Sequence, residues 1–123
     1  MKSEGGSGLL GGEELARLAT KAAADKQAVD IVILDAKGLC SFTDYFVICS
    51  GDSERQIDAI WREIDETLKS NGVVPHHSEG TAHSGWILAD FGSVIIHIFA
   101  PAEREYYQLD KFWDKGIPVV RIQ

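Results

Sequence analysis

Four groups of residues have types and spacing suited to chemistry. The first is Ser50-Gly51-Asp52-Ser53, which closes an apolar run and opens a helical one. A turn in that place presents backbone N–H groups and the positive end of a helix dipole, which suits a phosphate. Nucleotidyl transfer at such a turn also needs Mg²⁺ held by two or three carboxylates, usually an Asp-x-Asp on the strand after the helix. That stretch reads Val73-Val74-Pro75-His76-His77, while Asp90 stands alone at a later turn and Asp35 follows a different strand. The turn is therefore expected to cap its helix, with a divergent nucleotide-binding transferase as the weaker alternative. The second group is His76, His77, His83 and His97. Zinc needs three or four convergent ligands, whereas adjacent strand residues point to opposite sides. The first three are expected in solvent and His97 in or near the core, hydrogen-bonded, so no metal is expected. The third is nucleophilic: Ser53 lacks a G-x-S-x-G elbow and neither Cys40 nor Cys49 adjoins an obvious base, which counts mildly against catalysis. The fourth is Glu79, Trp86, Asp90, Glu103, Arg104 and Tyr107, where aromatics adjoin charges as at protein interfaces. Spacing alone leaves Trp86 open between a core role and an interface role.

These residues must be held by regular elements. Met1 to Gly12 contains five glycines and two serines and reads as a flexible arm or expression remnant, leaving residues 13–123 for the domain. From Glu13, Leu15, Leu18, Ala19, Ala22 and Ala23 recur at helical spacing to about Asp25. Ala28 to Leu34 and Tyr45 to Cys49 are nearly continuous apolar runs, as in strands covered on both faces. Ser53 and Gln56 form a Ser-x-x-Gln capping box, after which Ile57, Ile60, Trp61, Ile64 and Leu68 mark one helix face, and Gly72 ends it. A short extended piece near Val73 to His77 follows, with Pro75 arguing for an edge, then a polar loop from Ser78 to Gly85. Trp86 to Asp90 and Val94 to Phe99, joined by Phe91-Gly92-Ser93, read as an antiparallel hairpin. Beyond Pro101, Tyr106, Leu109, Phe112 and Trp113 suggest a short or broken helix to about Lys115, and Val119 to Ile122 a last strand. The order points to an α/β or α+β fold on one mixed sheet flanked by helices.

Composition narrows the partners. A length of 123 residues supports one core, and no apolar run approaches the ~20 residues needed to span a bilayer. The start, MKSEGGSGLLGG, lacks the long apolar stretch of a signal peptide, and the two cysteines are expected to be reduced, so a cytoplasmic protein without membrane contact is expected. A formal charge of −7 disfavours extensive contact with nucleic acid and suits a basic protein partner. The same acidity also serves solubility.

The run DIVILDAKGLCSFTDYFVICSGDSERQIDAI, then Glu79-Gly80, GWILADFGSVIIHIF and EREYYQLDKFW, closely resembles the Iojap family, also called ribosomal silencing factor RsfS, over roughly residues 14 to 115. The resemblance implies a sheet-and-helix fold related to nucleotidyltransferases but lacking their catalytic carboxylates. It implies a non-catalytic translation repressor without a cofactor. Such a protein would bind the large ribosomal subunit through its L14-family protein, block small-subunit joining and lower translation when nutrients are short. Large-subunit assembly through the same surface is the alternative. On the family's pattern the tryptophan at the start of the hairpin is Trp86, the turn aspartate Asp90, the Glu-Gly Glu79-Gly80, the hairpin histidine His97, and the Arg-x-x-Tyr Arg104 to Tyr107. The resemblance thus implies Trp86 as apolar anchor, Glu79 and Asp90 as partners of basic residues, and Arg104 and Tyr107 as extensions of the patch. His97 suits either an interface or a structural role. Ser93 stands where many members have Asp, removing one acidic group. An exposed aromatic patch invites self-association, so a homodimer of the free protein is a further expectation.

Overall fold

Small apolar residues at helical spacing wind α1 (Gly12–Asp25), which buries Leu15, Ala16, Ala19, Ala22 and Ala23. The structure, a computed structural model, describes residues 10–109 and 117–122. Leu10 already packs on the core, so the chain is in contact with the fold at the end of the stretch read as an arm. Two apolar runs then form β1 (Val29–Asp35) and β2 (Tyr45–Ser50), and every residue of β2 is buried.

Helix α2 (Glu54–Ser70) starts where the capping pattern places it. The Gln56 N–H donates to Ser53 Oγ at 3.1 Å. The return contact is shifted by one residue, because Gln56 Oε1 accepts from the N–H of Asp52 at 2.6 Å. The same amide donates through Nε2 to the carbonyls of Lys26 and Gln27 at 3.2 and 3.0 Å. One side chain therefore caps α2 and pins the α1–β1 corner, where Gln27 has φ 65° and is left-handed.

The next elements are β3 (His77–Thr81), β4 (Trp86–Asp90), β5 (Val94–Phe99), α3 (Pro101–Tyr107) and β6 (Ile117–Ile122). The sheet order is β3-β4-β5-β2-β1-β6, with β2 and β5 parallel and the other neighbours antiparallel. The sheet is mixed, as expected. The edge strand is present but displaced from the sequence reading: β3 begins at His77, the last residue of the expected extended piece, and runs on to Thr81 through the first part of the expected polar loop. All five of its residues are exposed, and it is held by its ladder to β4 rather than by apolar side chains. The strand after α2 consequently does carry a carboxylate, Glu79, although a single one. Helix α3 stops at Tyr107 because Gln108 turns left-handed, and the expected continuation through Phe112 and Trp113 lies outside the described residues.

Period-2 alternation sorts the strands onto two faces. Ile31, Ile33, Val47, Cys49, Ile87, Ala89, Val94, Ile96 and Ile98 pack under α1 and α2, together with Ile57, Ile60, Ile64 and Leu68. Val32, Leu34, Phe46, Ile48, Ile95 and Phe99 form a smaller core on the opposite face, closed in part by Ala36, Cys40 and Leu109. No helix among the described residues is long and apolar enough to cross a membrane. Removing the α2 cap with Ser53→Ala should lower stability by about 1 kcal/mol in urea unfolding; an unchanged midpoint would show that Gln56 carries the helix start alone.

Candidate functional site

The face away from α1 and α2 is organised by cross-strand rows. Phe99 of β5 lies opposite Trp86 of β4, and His97 lies opposite Leu88, which in turn lies opposite Glu79 of β3. Gly80 makes this edge possible. It has φ +85°, and a Cβ there would stand 2.0 Å from the Trp86 carbonyl oxygen. In the Glu-Gly pair, Gly80 is thus a backbone requirement of β3 and Glu79 the source of charge.

Aromatic rings run continuously across this face. Phe42 meets Phe46 edge-on at 6.4 Å, and Phe46 stacks on His97 at 5.5 Å. His97 lies 5.9 Å from Trp86, which packs on Phe99 at 5.0 Å and on Tyr107 at 4.6 Å. Tyr107 meets Tyr106 edge-on at 5.0 Å. Phe46, His97 and Phe99 are buried, while Tyr107, Phe42 and Tyr106 are 46%, 63% and 80% exposed. Trp86 is half-buried, so it is neither a sealed core residue nor a free surface one. Glu79, Gly80, Ser84, Trp86, Leu88 and Tyr107 line one open pocket of about 240 Å³.

Two contacts fix Tyr107 over Trp86. The Ala100 N–H donates to the Gly85 carbonyl at 2.8 Å, joining the start of α3 to the β3–β4 turn. Arg104 Nη1 donates to Ser50 Oγ at 3.0 Å, joining α3 to the end of β2. One helical turn beyond Arg104, Tyr107 falls on the indole. His97 is 4% exposed, and burial pushes its imidazole down to about 4, so the ring is neutral at pH 7. The indole N–H of Trp86 donates to His97 Nδ1 at 3.2 Å, which places the imidazole proton on Nε2. That atom is buried without a hydrogen-bond partner among the described residues, a situation that costs about 1–3 kcal/mol.

The other candidate chemistries find little support in geometry. At the Ser50–Ser53 turn, the Gly51 N–H donates to the Phe99 carbonyl at 3.0 Å, and those of Asp52 and Gln56 are bound as described. Ser50 Oγ is taken by Arg104. Several groups of the turn are thus already bound within the chain. His77 pairs with Glu79 and His83 with Glu54, and no group of three or more His, Cys, Asp or Glu among the described residues is arranged to hold a metal ion. Both cysteines are free thiols, and burial pushes Cys49 up to about 12, which leaves it unreactive.

A family model described as "ribosomal silencing factor during starvation" matches residues 11–123. The chain belongs to the ribosomal silencing factor (RsfS) family. It is 41% identical over 101 residues to ribosomal silencing factor RsfS of Bacillus subtilis, covering 82% of this chain and 86% of that protein. A crystal structure of a Chromobacterium violaceum protein superposes with a TM-score of 0.82 at 34% identity, covering 85% of this chain and 88% of that one. The mouse protein named mitochondrial assembly of ribosomal large subunit protein 1 is 35% identical over 91 residues, covering 72% of this chain and 40% of that protein.

Within this RsfS-family chain, the residues expected from sequence divide into two sets. Glu79, Trp86 and Tyr107 come together at one pocket. Asp90 shares their sheet face but sits at the far end of β4, roughly 13 Å along the strand, and its Oδ1 accepts the Gly92 N–H at 2.8 Å. Arg104 is half-buried and faces Ser50, so its observed contact is with the fold. Leu88 and Phe99 were not foreseen, although the i, i+2 pattern of Trp86-x-Leu88 and His97-x-Phe99 carries the signal.

The buried imidazole makes a pH prediction. Its folded value lies below its unfolded one, near 6.5, so the unfolded chain binds the extra proton and stability falls as pH drops from about 6.5 towards about 4. Between pH 7 and 4.5 the wild type should lose roughly 2 kcal/mol more than His97→Phe does, measured by denaturant unfolding at both pH values. Parallel pH profiles would contradict burial of a neutral His97.

Proposed function

We propose that this chain binds the large ribosomal subunit and represses translation by keeping the small subunit from joining it. Its contact there is the L14-family protein on the face that meets the small subunit. The single observation that carries the site assignment is the pocket in which partly buried Trp86 lies against Tyr107 beside Glu79. A large aromatic at the centre of a partly desolvated pocket is the usual source of interface energy. Glu79, with Asp90 at the other end of β4, meets basic side chains of the partner, and the chain's charge of −7 speeds their encounter. The same charge leaves little room for direct contact with RNA phosphates. Arg104 contributes by setting the angle of α3, and Tyr107 by widening the apolar patch.

The action is occlusion. It requires no bond to be made or broken, no cofactor and no metal, and it takes place in the cytoplasm, with starvation as the setting named by the family description. The name of the mouse relative favours a second reading, in which the same surface serves assembly of the large subunit. That reading requires sedimentation with precursor particles, whereas occlusion requires sedimentation with mature free subunits.

Trp86→Ala should fold normally yet bind free large subunits about thirtyfold more weakly, a loss of roughly 2 kcal/mol. Cosedimentation across a concentration series reads this directly. Wild-type binding by a folded Trp86→Ala protein would remove the pocket from the interface.

A further inference from the structure

Trp86 is only partly buried, and an indole at such a boundary can leave its N–H to water. Here the N–H turns inward, at 3.2 Å, to a histidine that is itself almost fully buried. The imidazole is held from both sides, stacked on Phe46 at 28° between planes and on Phe99 at 7°. The acceptor is therefore packed in place, and the ring it orients is the one placed at the centre of the proposed interface.

We propose that His97 is a positioning residue for partner binding: through Nδ1 it holds the Trp86 indole in the pose that the partner meets. This rests on the assignment of the Trp86 pocket as the docking site. Two consequences favour binding. The indole is fixed before contact, so little rotamer freedom is lost on docking. Its N–H is already satisfied, so covering the ring strands no donor, and the partner needs to bring only apolar or cationic groups against the ring, with no acceptor for the indole nitrogen. Burial keeps the imidazole neutral at pH 7, which preserves Nδ1 as an acceptor. A residue serving packing alone would be replaced with gain by Phe, which keeps the stack and removes a buried Nε2–H that lacks a partner among the described residues.

The test is to compare His97→Phe, His97→Leu and His97→Gln with wild type in thermal unfolding, in cosedimentation with free large subunits, and in hydrogen exchange of the ¹⁵N-labelled Trp86 indole. His97→Phe should melt at or above the wild-type temperature, lose protection of the Trp86 N–H and bind about tenfold more weakly. His97→Gln, which keeps an acceptor, should recover much of the binding. His97→Leu repeats the reading if Phe does not fit. Wild-type binding by a folded His97→Phe or His97→Leu protein overturns the proposal, as does an indole that stays protected in both. Trp86→Ala, run alongside, separates the two failures: if it too binds as wild type, the pocket assignment fails, and the positioning role with it. If Trp86→Ala binds weakly while the apolar His97 variants do not, only the positioning role is lost.

Discussion

Among the described residues α1 and α2 lie on one face of the sheet, and on the other face the strand side chains shield one another with help from Tyr107 and Leu109. The central strands β1, β2 and β5 do so with a second, smaller core. Toward β4 and β3 the cover thins, and large flat rings take over, from Phe46 through His97 and Phe99 to Trp86 and Tyr107. Aromatic pairs of this kind are worth about 0.5–1.5 kcal/mol beyond their buried area, so the run stabilises the edge while leaving its outermost rings in water. A surface that is firm, apolar and incompletely covered is what a binding partner can complete.

The same packing draws on the Ser50–Ser53 turn. The Ser50–Ser53 turn occupies the place where a phosphate site would be expected, but its groups hold the fold together. Gly51 binds Phe99, Gln56 caps the helix and reaches to Lys26 and Gln27, and Ser50 receives Arg104. A Cβ on Gly51 would meet Ile57 at 3.0 Å and Ile60 at 3.1 Å, so the glycine is there to let α2 lie close to the sheet. The turn serves to position α3, and through α3 the Tyr107 ring. A turn with the form of a ligand site is part of the scaffold that holds the aromatic face.

Much of this was legible in the residues themselves. The continuous apolar runs of β1, β2 and β5 and the capped, amphipathic α2 are strong local signals, and they placed Trp86 and Asp90 correctly on the hairpin. Strand β3 is expected about four residues too early because His77–Thr81 buries nothing; its hydrogen bonds to β4 are a tertiary fact with no hydrophobic trace. That error also hid Glu79 in a supposed loop. His97 was ambiguous because Val94–Phe99 is apolar at every position but one, and only the two-faced burial of β5 separates the aromatic row from the aliphatic one. Arg104 looked like a surface contact because its partner, Ser50, lies 54 residues away. Such a pairing leaves no pattern along the chain.

Occlusion is a claim about what the occupied subunit can no longer do, so it is best tested on purified free subunits. Large subunits loaded with this protein would be mixed with small subunits in Mg²⁺ that supports association, and joined particles measured on a sucrose gradient. A fall in joined particles that tracks occupancy of the large subunit is the expected result. Undiminished joining, with the protein still riding on the joined particles, would contradict occlusion outright.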